Sequence, residues 1–217
     1  PEASGTEKFM DYGFMAAMEQ SPTLPAKDIW YGTANINYYY GGQYFAVYLS
    51  ELCYLPVKIT YNLMRGLIAA FAFILPFSIV YHMIDARFRK HNENHILSYV
   101  GGALGGTAVS LAGNMHYVLY GLFGSVFRLS GYEEYWFPDS TRYIGHNPLT
   151  NDQCIHEFPS YSIILGDLHA HFINIIFVLT IIGLLYAWVR HVRKKEIDRV
   201  NEELLRNEYE RVHTTKY

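Results

Sequence analysis

The feature that most constrains this chain is a largely apolar run at residues 172–189, which ends directly in the basic cluster Arg190-His-Val-Arg-Lys-Lys195. Because an α-helix rises about 1.5 Å per residue, a helix of this length approaches the roughly 30 Å thickness of a bilayer's hydrocarbon core. Residues 61–82 form a second long apolar run, in which Pro76 predicts a kink. Basic residues after such a helix are typical of the cytoplasmic side. The sequence therefore predicts an integral membrane protein.

The composition agrees with a membrane location. Of the 217 residues, 51% are hydrophobic and only 17% are charged, a balance unusual for a soluble domain. Twenty tyrosines and thirteen phenylalanines fit membrane–water interfaces, where aromatic side chains concentrate. The net charge is −3 and the basic cluster is explained by topology, so we expect no nucleic-acid partner. Two cysteines, Cys53 and Cys154, are too few for a disulfide framework and are predicted to be free thiols.

We predict an all-α integral membrane fold, a polytopic helix bundle with irregular external loops. Residues 1–42 are polar, aromatic and rich in turn formers, and we expect an external or interfacial segment there. It contains a short helix, predicted at residues 11–18, with Phe14, Met15 and Met18 on one side.

The rest of the chain divides into a membrane helical domain at residues 43–190 and a charged, cytoplasmic helical tail at residues 191–217. The membrane domain includes a polar external loop at residues 128–165. Residues 96–112 form an apolar segment with glycines that suit close helix–helix contact.

The topology of the first apolar segment stays open between two alternatives. Residues 43–57 are short and contain Glu51, so they form either a re-entrant helix or a tilted span. If they are re-entrant, the basic residues at 87–90 are cytoplasmic. If they cross, residues 96–127 form a hairpin. The charge distribution favours the first alternative, and both put the N-terminal segment and loop 128–165 on the external side.

One aspartate and two histidines stand close together just before the last apolar run, in the stretch Gly166-Asp-Leu-His-Ala-His171. In an extended segment the side chains of Asp167, His169 and His171 share one face, whereas in a helix only the first and last do. Carboxylate and imidazole groups suit a divalent metal such as Mn²⁺, Zn²⁺ or Fe²⁺, and Mg²⁺ is a further candidate. Protonated histidines could instead hold a phosphate. A simpler alternative is an aspartate cap followed by two interfacial histidines.

Two acids near the N-terminus, Glu7 and Asp11, form a second candidate group. A carboxylate held at an external membrane surface can act as a general base or bind a cation. The alternative is that these acids only stabilise the positive end of a helix dipole.

Three further features in the polar segments are candidates for substrate or phosphate binding. Arg142 can bind a phosphate through two hydrogen bonds, although loop arginines commonly pair with acids. Glu157 joins the acid and histidine group described above. The tyrosine triplet Tyr38, Tyr39 and Tyr40 can stack on a sugar or lipid headgroup, or serve only as interfacial anchors.

No P-loop, dinucleotide-binding glycine pattern, serine elbow or Cys-x-x-Cys motif is present in the sequence. A set of short motifs does occur in one order between about residues 7 and 190: Glu7-Lys-Phe-Met-Asp11, Asp28-Ile-Trp30, Asn37-Tyr-Tyr-Tyr-Gly41, Tyr61-Asn62, Gly113-Asn114, Ser140-Thr-Arg142, Glu157-Phe-Pro159 and Gly166-Asp-Leu-His-Ala-His171. Together they resemble the YYY family of integral membrane proteins, named for its tyrosine triplet.

That family is similar, remotely, to the GT-C glycosyltransferases, which take sugars from polyprenyl-phosphate carriers at the external membrane face. The resemblance implies a GT-C-like partial core, an essential acid at Asp11 with Glu7 beside it, and carrier-phosphate or metal binding by Asp167, His169 and His171. Family members are usually longer, with further membrane helices on both sides. This chain is therefore expected to be a shortened version or a fragment that works with other membrane subunits.

Three functions follow from these observations. The first is glycosyl transfer from a polyprenyl-phosphate sugar, with Asp11 as base and with Arg142 and the histidines neutralising the phosphate. The second is a non-catalytic subunit of a larger membrane complex. The third is a metal-binding or transport module that uses Asp167, His169 and His171.

Overall fold

The structure is a computed structural model that describes residues 7–88, 95–113, 116–127, 136–142, 144–146 and 148–214. Its helices are α1 (Lys8–Glu19), α2 (Gly41–Cys53), α3 (Val57–Phe88), α4 (Ile96–Ser110), a π-helix (Tyr117–Leu122), α5 (Gly124–Phe127), a 3₁₀-helix (Phe137–Thr141), α6 (Pro159–Leu165) and α7 (Ala170–Thr214). Within these residues there are only isolated β-bridges and no strand. The predicted all-α fold class is confirmed.

The N-terminal helix, α1, covers the predicted short helix and extends it at both ends. Phe14, Met15 and Met18 are buried, together with Asp11, at the spacing of one helix face. The predicted apolar side of this helix is therefore confirmed, and the acid lies on the same buried side.

The second helix, α2, ends earlier than the apolar run that predicted it. Its last residue is Cys53, and the following residue, Tyr54, has a left-handed backbone with φ of 54°. Thirteen residues extend only about 20 Å, which is less than the hydrocarbon core of a bilayer. One side of α2, with Gln43, Ala46 and Val47, is buried.

Among the residues that the structure describes, two segments are long and apolar enough to cross a membrane: Val57–Phe88 in α3 and Ala170–Arg211 in α7. Within their most apolar windows only 17% and 11% of the residues are buried, so most of these surfaces lie open to lipid or to other helices. The first segment is longer than predicted and contains Pro76 inside the helix. The second continues as one helix into the charged tail, which was predicted to be helical.

Helix α4 packs closely against α3 through its glycines. A Cβ atom at Gly102 would lie 3.0 Å from the backbone oxygen of Phe77, and one at Gly106 would lie 2.8 Å from that of Phe73. Only residues without a side chain allow the two helices to approach this closely. The predicted role of the glycines in helix contact is confirmed.

The chain separates into two compact units, residues 1–176 and 177–217. The second unit contains α7 from Phe177 onward, whereas the first turns of that helix belong to the first unit. In the first unit, α1, the segment between α1 and α2, α2, the beginning of α3 and residues 168–173 share a hydrophobic core: Phe14, Met15, Met18, Ala26, Ile36, Ala46, Val47, Val57, Tyr61, Met64, Ile68, Leu168, Phe172 and Ile173. This core holds the Gly166–His171 motif against the N-terminal helices.

Some sequence-based predictions fall outside the described residues. These include Arg89 and Lys90 of the basic segment, Asn114, and residues 128–135 of the polar loop. Both cysteines, Cys53 and Cys154, are free and exposed.

Candidate functional site

The N-terminal helix and the Gly166–His171 motif meet directly, although they lie far apart in the sequence. Asp11 Oδ2 accepts a hydrogen bond from the backbone N–H of Leu168 at 3.1 Å. Asp11 Oδ1 accepts a second one from Gln43 Nε2 at 2.9 Å, and the same amide donates to the Leu168 carbonyl, also at 2.9 Å. Asp11 and Gln43 therefore fix the backbone on either side of Leu168.

The motif is neither wholly extended nor wholly helical. Helix α6 ends at Leu165, Gly166 turns the chain with φ of 83°, and α7 begins at Ala170. Residues 167–169 between the helices are irregular, with Asp167 and Leu168 buried. His169 is therefore the last residue before α7, and His171 lies in the first turn of that helix.

His169 lies between two carboxylates, one on each side of its ring. Its Nδ1 donates to Glu157 Oε2 at 2.7 Å, and its Nε2 lies 3.1 Å from Glu7 Oε2. His171 Nε2 lies 3.5 Å from the same Glu157 oxygen and is hydrogen-bonded to Ser162 Oγ at 3.1 Å. We call Glu7, Glu157, His169 and His171 the acid–histidine cluster.

Local chain chemistry explains how Glu157 reaches this position. Pro159 is the first residue of α6, a place where proline suits the backbone, so Glu157 stands just outside the helix start. Helix α6 is only seven residues long, and the turn at Gly166 brings the chain back toward Glu157. The two ends of this short helix thereby present an acid and two imidazoles to each other.

The protonation of His169 and Glu157 follows from their hydrogen bond. That bond is the largest influence on His169 and raises its pKa to about 9, against the opposing effect of burial. For Glu157, burial alone would raise the pKa, but the hydrogen bond from His169 and nearby positive charges lower it overall. The pair is therefore a carboxylate and an imidazolium at neutral pH.

Asp11 has the opposite shift. Burial raises its pKa to about 6, against the lowering effects of the Gln43 hydrogen bond, the His169 charge and the Leu168 hydrogen bond. The side chain is completely buried. A carboxyl group in this state can change its protonation close to neutral pH.

A group of three potential metal ligands forms among the described residues. One ligand atom each from Glu157, His169 and His171 lies within 4.8 Å of the other two. Asp167, which the sequence predicted as a ligand, is buried and does not belong to this group. Glu157, predicted to contact substrate, stands in its place.

Arg142 borders the cluster without joining its hydrogen bonds. Its Nη1 donates to the Pro138 carbonyl at 3.0 Å, and its guanidinium lies 5.0 Å from the centre of the Trp136 ring. Its positive charge contributes to lowering the pKa of Glu157. Arg142 is therefore close enough to act electrostatically on the site.

The tyrosine triplet does not act as one unit. Tyr38 contacts Phe14 and Tyr39, and burial together with the charges of Glu7 and Asp11 raises its pKa, which indicates a position near those acids. Tyr39 is 73% exposed, whereas Tyr40 precedes α2 and packs against the hydrophobic core. Among the three, Tyr38 is the one that lies near the acidic groups.

Comparison with known proteins decides the family. A family model described as "Uncharacterized membrane protein (DUF2298)" matches residues 1–205, nearly the whole chain. The chain belongs to the DUF2298 family. No curated protein and no solved structure matches it. The assignment confirms the predicted membership of an integral membrane protein family, and the long apolar helices of this DUF2298 chain agree with it.

Sequence reasoning missed several DUF2298 residues that shape the site. The sequence did not predict a role for Gln43, which is an amide in an apolar run, yet its side chain links Asp11 to Leu168. A Cβ at Gly42, next to it, would lie 2.7 Å from Ile173 Cδ1, so glycine lets α2 approach α7 there. Tyr61, which the motif set included without a role, donates to the Gly166 carbonyl at 3.4 Å. A side chain at Gly166 would collide with the guanidinium of Arg65, and the left-handed backbone there also favours glycine.

Proposed function

We propose that this DUF2298 chain supplies the acid–base and phosphate-binding groups for glycosyl transfer from a polyprenyl-phosphate sugar at the external membrane face. One observation carries the proposal. The N-terminal acids Glu7 and Asp11 meet the Gly166–His171 motif at one place in a membrane protein. Catalysis of this kind needs a base and positive charge held close together, which the cluster provides.

The reaction requires one group that accepts a proton. The acceptor hydroxyl attacks C1 of the sugar, the bond from C1 to the phosphate oxygen breaks, and the hydroxyl proton passes to a base. Glu7 is the better candidate for that base, since its side chain is 52% exposed. Asp11, which the sequence favoured, has both oxygens engaged and no exposed surface, so its proposed role is to position Leu168 and His169.

The leaving group is a polyprenyl phosphate, which carries away the electron pair of the broken bond. Positive charge near that phosphate lowers the barrier, because negative charge builds up on its oxygens as the bond breaks. Arg142 is the proposed phosphate ligand outside the cluster. Within it, positive charge comes from the His169 imidazolium or from a bound cation.

A transfer assay with a matched control tests the proposal. Membranes containing the chain and its native partners are supplied with a labelled polyprenyl-phosphate sugar, and the product is counted. We expect Glu7→Gln to lower the rate by about 100-fold or more, the usual contribution of a general base. Glu51→Gln, which changes an exposed acid on α2, should leave the rate unchanged. Equal rates in the parent and Glu7→Gln would contradict the assignment of Glu7.

A second function, as a subunit of a larger membrane assembly, is supported by the small buried share of the two spanning segments, 17% and 11%. Apolar helix surfaces of this extent suit contact with further membrane helices as well as with lipid. Gentle extraction into nanodiscs followed by mass photometry measures the size of the particle. A stoichiometric complex would support the subunit role, and an active monomer would contradict it.

A further inference from the structure

We propose that Glu157, His169 and His171 bind one divalent transition-metal ion, with Glu7 Oε2 as the acceptor that orients His169, which leaves the other oxygen of that carboxylate for the role of base proposed above. The proposal concerns the same cluster as the proposed function but stands on ligand geometry alone, so it does not require that glycosyl transfer occurs.

The distances between ligand atoms are already close to those of a metal site. His169 Nδ1 and His171 Nε2 lie 2.7 Å and 3.5 Å from Glu157 Oε2, so one oxygen faces both rings. Ligands of a metal ion held at about 2.0–2.2 Å stand roughly 3–3.5 Å apart, and the ligand atoms of all three residues lie within 4.8 Å of one another. Only small side-chain movements are therefore needed to surround an ion.

The surroundings hold the two rings in place. Leu168 and Phe172, which flank the histidines in sequence, are fully buried in the core. Ser162 Oγ is hydrogen-bonded to His171 Nε2 on the side of Glu157, and an ion bound at that nitrogen would take the place of the hydrogen bond. Ligands that are fixed before the ion arrives lose little conformational entropy on binding it.

The second nitrogen of His169 provides independent support. Its Nε2 atom is buried and makes no hydrogen bond, although Glu7 Oε2 lies 3.1 Å away. In metal sites the nitrogen that does not bind the ion usually donates to a carboxylate, which fixes the tautomer and strengthens the other nitrogen as a ligand. Coordination through Nδ1 would put the proton on Nε2, facing Glu7.

The ligand types select the class of metal. Two imidazoles and one carboxylate suit Zn²⁺, Mn²⁺ or Fe²⁺, whereas Mg²⁺ and Ca²⁺ prefer oxygen ligands. Three protein ligands also leave at least one coordination position open for water or for an oxygen of a phosphate. A bound ion here would supply the positive charge that a phosphate group needs.

Metal binding is measured on the purified full chain in detergent, after removal of any affinity tag and of bound metal with a chelator. The protein is titrated calorimetrically with Zn²⁺ and Mn²⁺, and the absorption spectrum of its Co²⁺ complex reports ligand number. We expect one ion per chain for the parent and no stoichiometric binding for His169→Ala, His171→Ala or Glu157→Ala. His191→Ala, which removes an exposed histidine of α7, is the matched control and should bind as the parent does.

The role of Glu7 has its own measurement. Glu7→Gln should retain one ion per chain with affinity lowered by about 10-fold, as expected for an orienting carboxylate. Circular dichroism and thermal unfolding of the metal-free variants establish that each is folded before its titration is interpreted. Absence of a stoichiometric ion in the folded parent, or unchanged affinity in folded His171→Ala, would overturn the proposal. Because no substrate is present, neither result bears on the transfer assay described above.

Discussion

Asp11 shows how one buried side chain links the N-terminal helix to the candidate site. Its two oxygens accept hydrogen bonds from Gln43 and from the Leu168 N–H, so the carboxyl group holds the backbone next to His169. Burial makes its ionised form costly, and the hydrogen bonds and the charge of His169 offset only part of this effect, which explains the pKa of about 6. The residue therefore makes the stability of the site depend on pH.

The sign of that dependence follows from the raised pKa. The folded protein holds the Asp11 proton more tightly than the unfolded chain, so this contribution to stability is fully present below about pH 3.8 and is lost as the pH rises through about 6. Between pH 7 and pH 5 the free energy of unfolding should increase by about 1 kcal/mol more in the parent than in Asp11→Asn, which cannot titrate.

Unfolding in detergent at several pH values measures this difference. The comparison with Asp11→Asn removes the contributions of the other titrating groups, and the asparagine retains one oxygen for the Leu168 N–H. Parallel pH profiles for parent and variant would show that Asp11 does not titrate in this range.

At the level of single residues, the sequence predicted which residues belong to the candidate site, but not which of their side chains contact one another. Residue type and motif identified Glu7, Asp11, Glu157, His169 and His171 as candidates. The sequence could not show that Glu157, rather than Asp167, faces the two histidines, because that depends on the short helix α6 and the turn at Gly166.

The contact between α3 and α4 shows what glycine contributes at the level of helices. The chain brings α4 so close to α3 that Gly106 has no room for a side chain, whereas Gly66, also helical, has nothing within 4 Å of its Cβ position. The same substitution at these two positions should therefore have opposite effects.

Gly106→Ala forces the helices apart and should lower the free energy of unfolding by about 1–3 kcal/mol, the usual cost of overpacking. Gly66→Ala, the control, should raise it by about 0.5–1 kcal/mol through higher helix propensity. Titration with denaturing detergent, followed by circular dichroism, measures both. A larger decrease in the free energy of unfolding for Gly66→Ala than for Gly106→Ala would show that α3 and α4 do not pack closely at Gly106.

Helix positions were predictable from hydropathy, but some helix ends were not. Apolar runs indicated α2, α3 and α7, yet α2 stops at Cys53 because Tyr54 adopts a left-handed backbone that hydropathy does not reveal. The charged residues after 190 were predicted to form a solvated helical tail. They are helical up to Thr214 and continue α7 without a break, and alternating charges such as Arg206 and Glu210 support a solvated helix there.

At the scale of the whole molecule, membrane character and function rest on different evidence. Membrane integration follows from the family and from the long apolar helices. The external position of the site follows only from the charge distribution and stays a prediction, as do the sugar-transfer reaction and the partner subunits. The proposed reaction and the proposed metal site both require that Glu7 and His169 face each other.

Cross-linking measures that proximity most directly. Cys53 and Cys154 are first replaced by serine, because both are exposed thiols, and Glu7→Cys is then combined with His169→Cys. A short bis-methanethiosulfonate reagent is applied in native membranes, and the linked peptides are identified by mass spectrometry. We expect efficient linkage in native membranes and none after denaturation in dodecyl sulfate. Equally weak linkage in both conditions would contradict the proximity of residues 7 and 169.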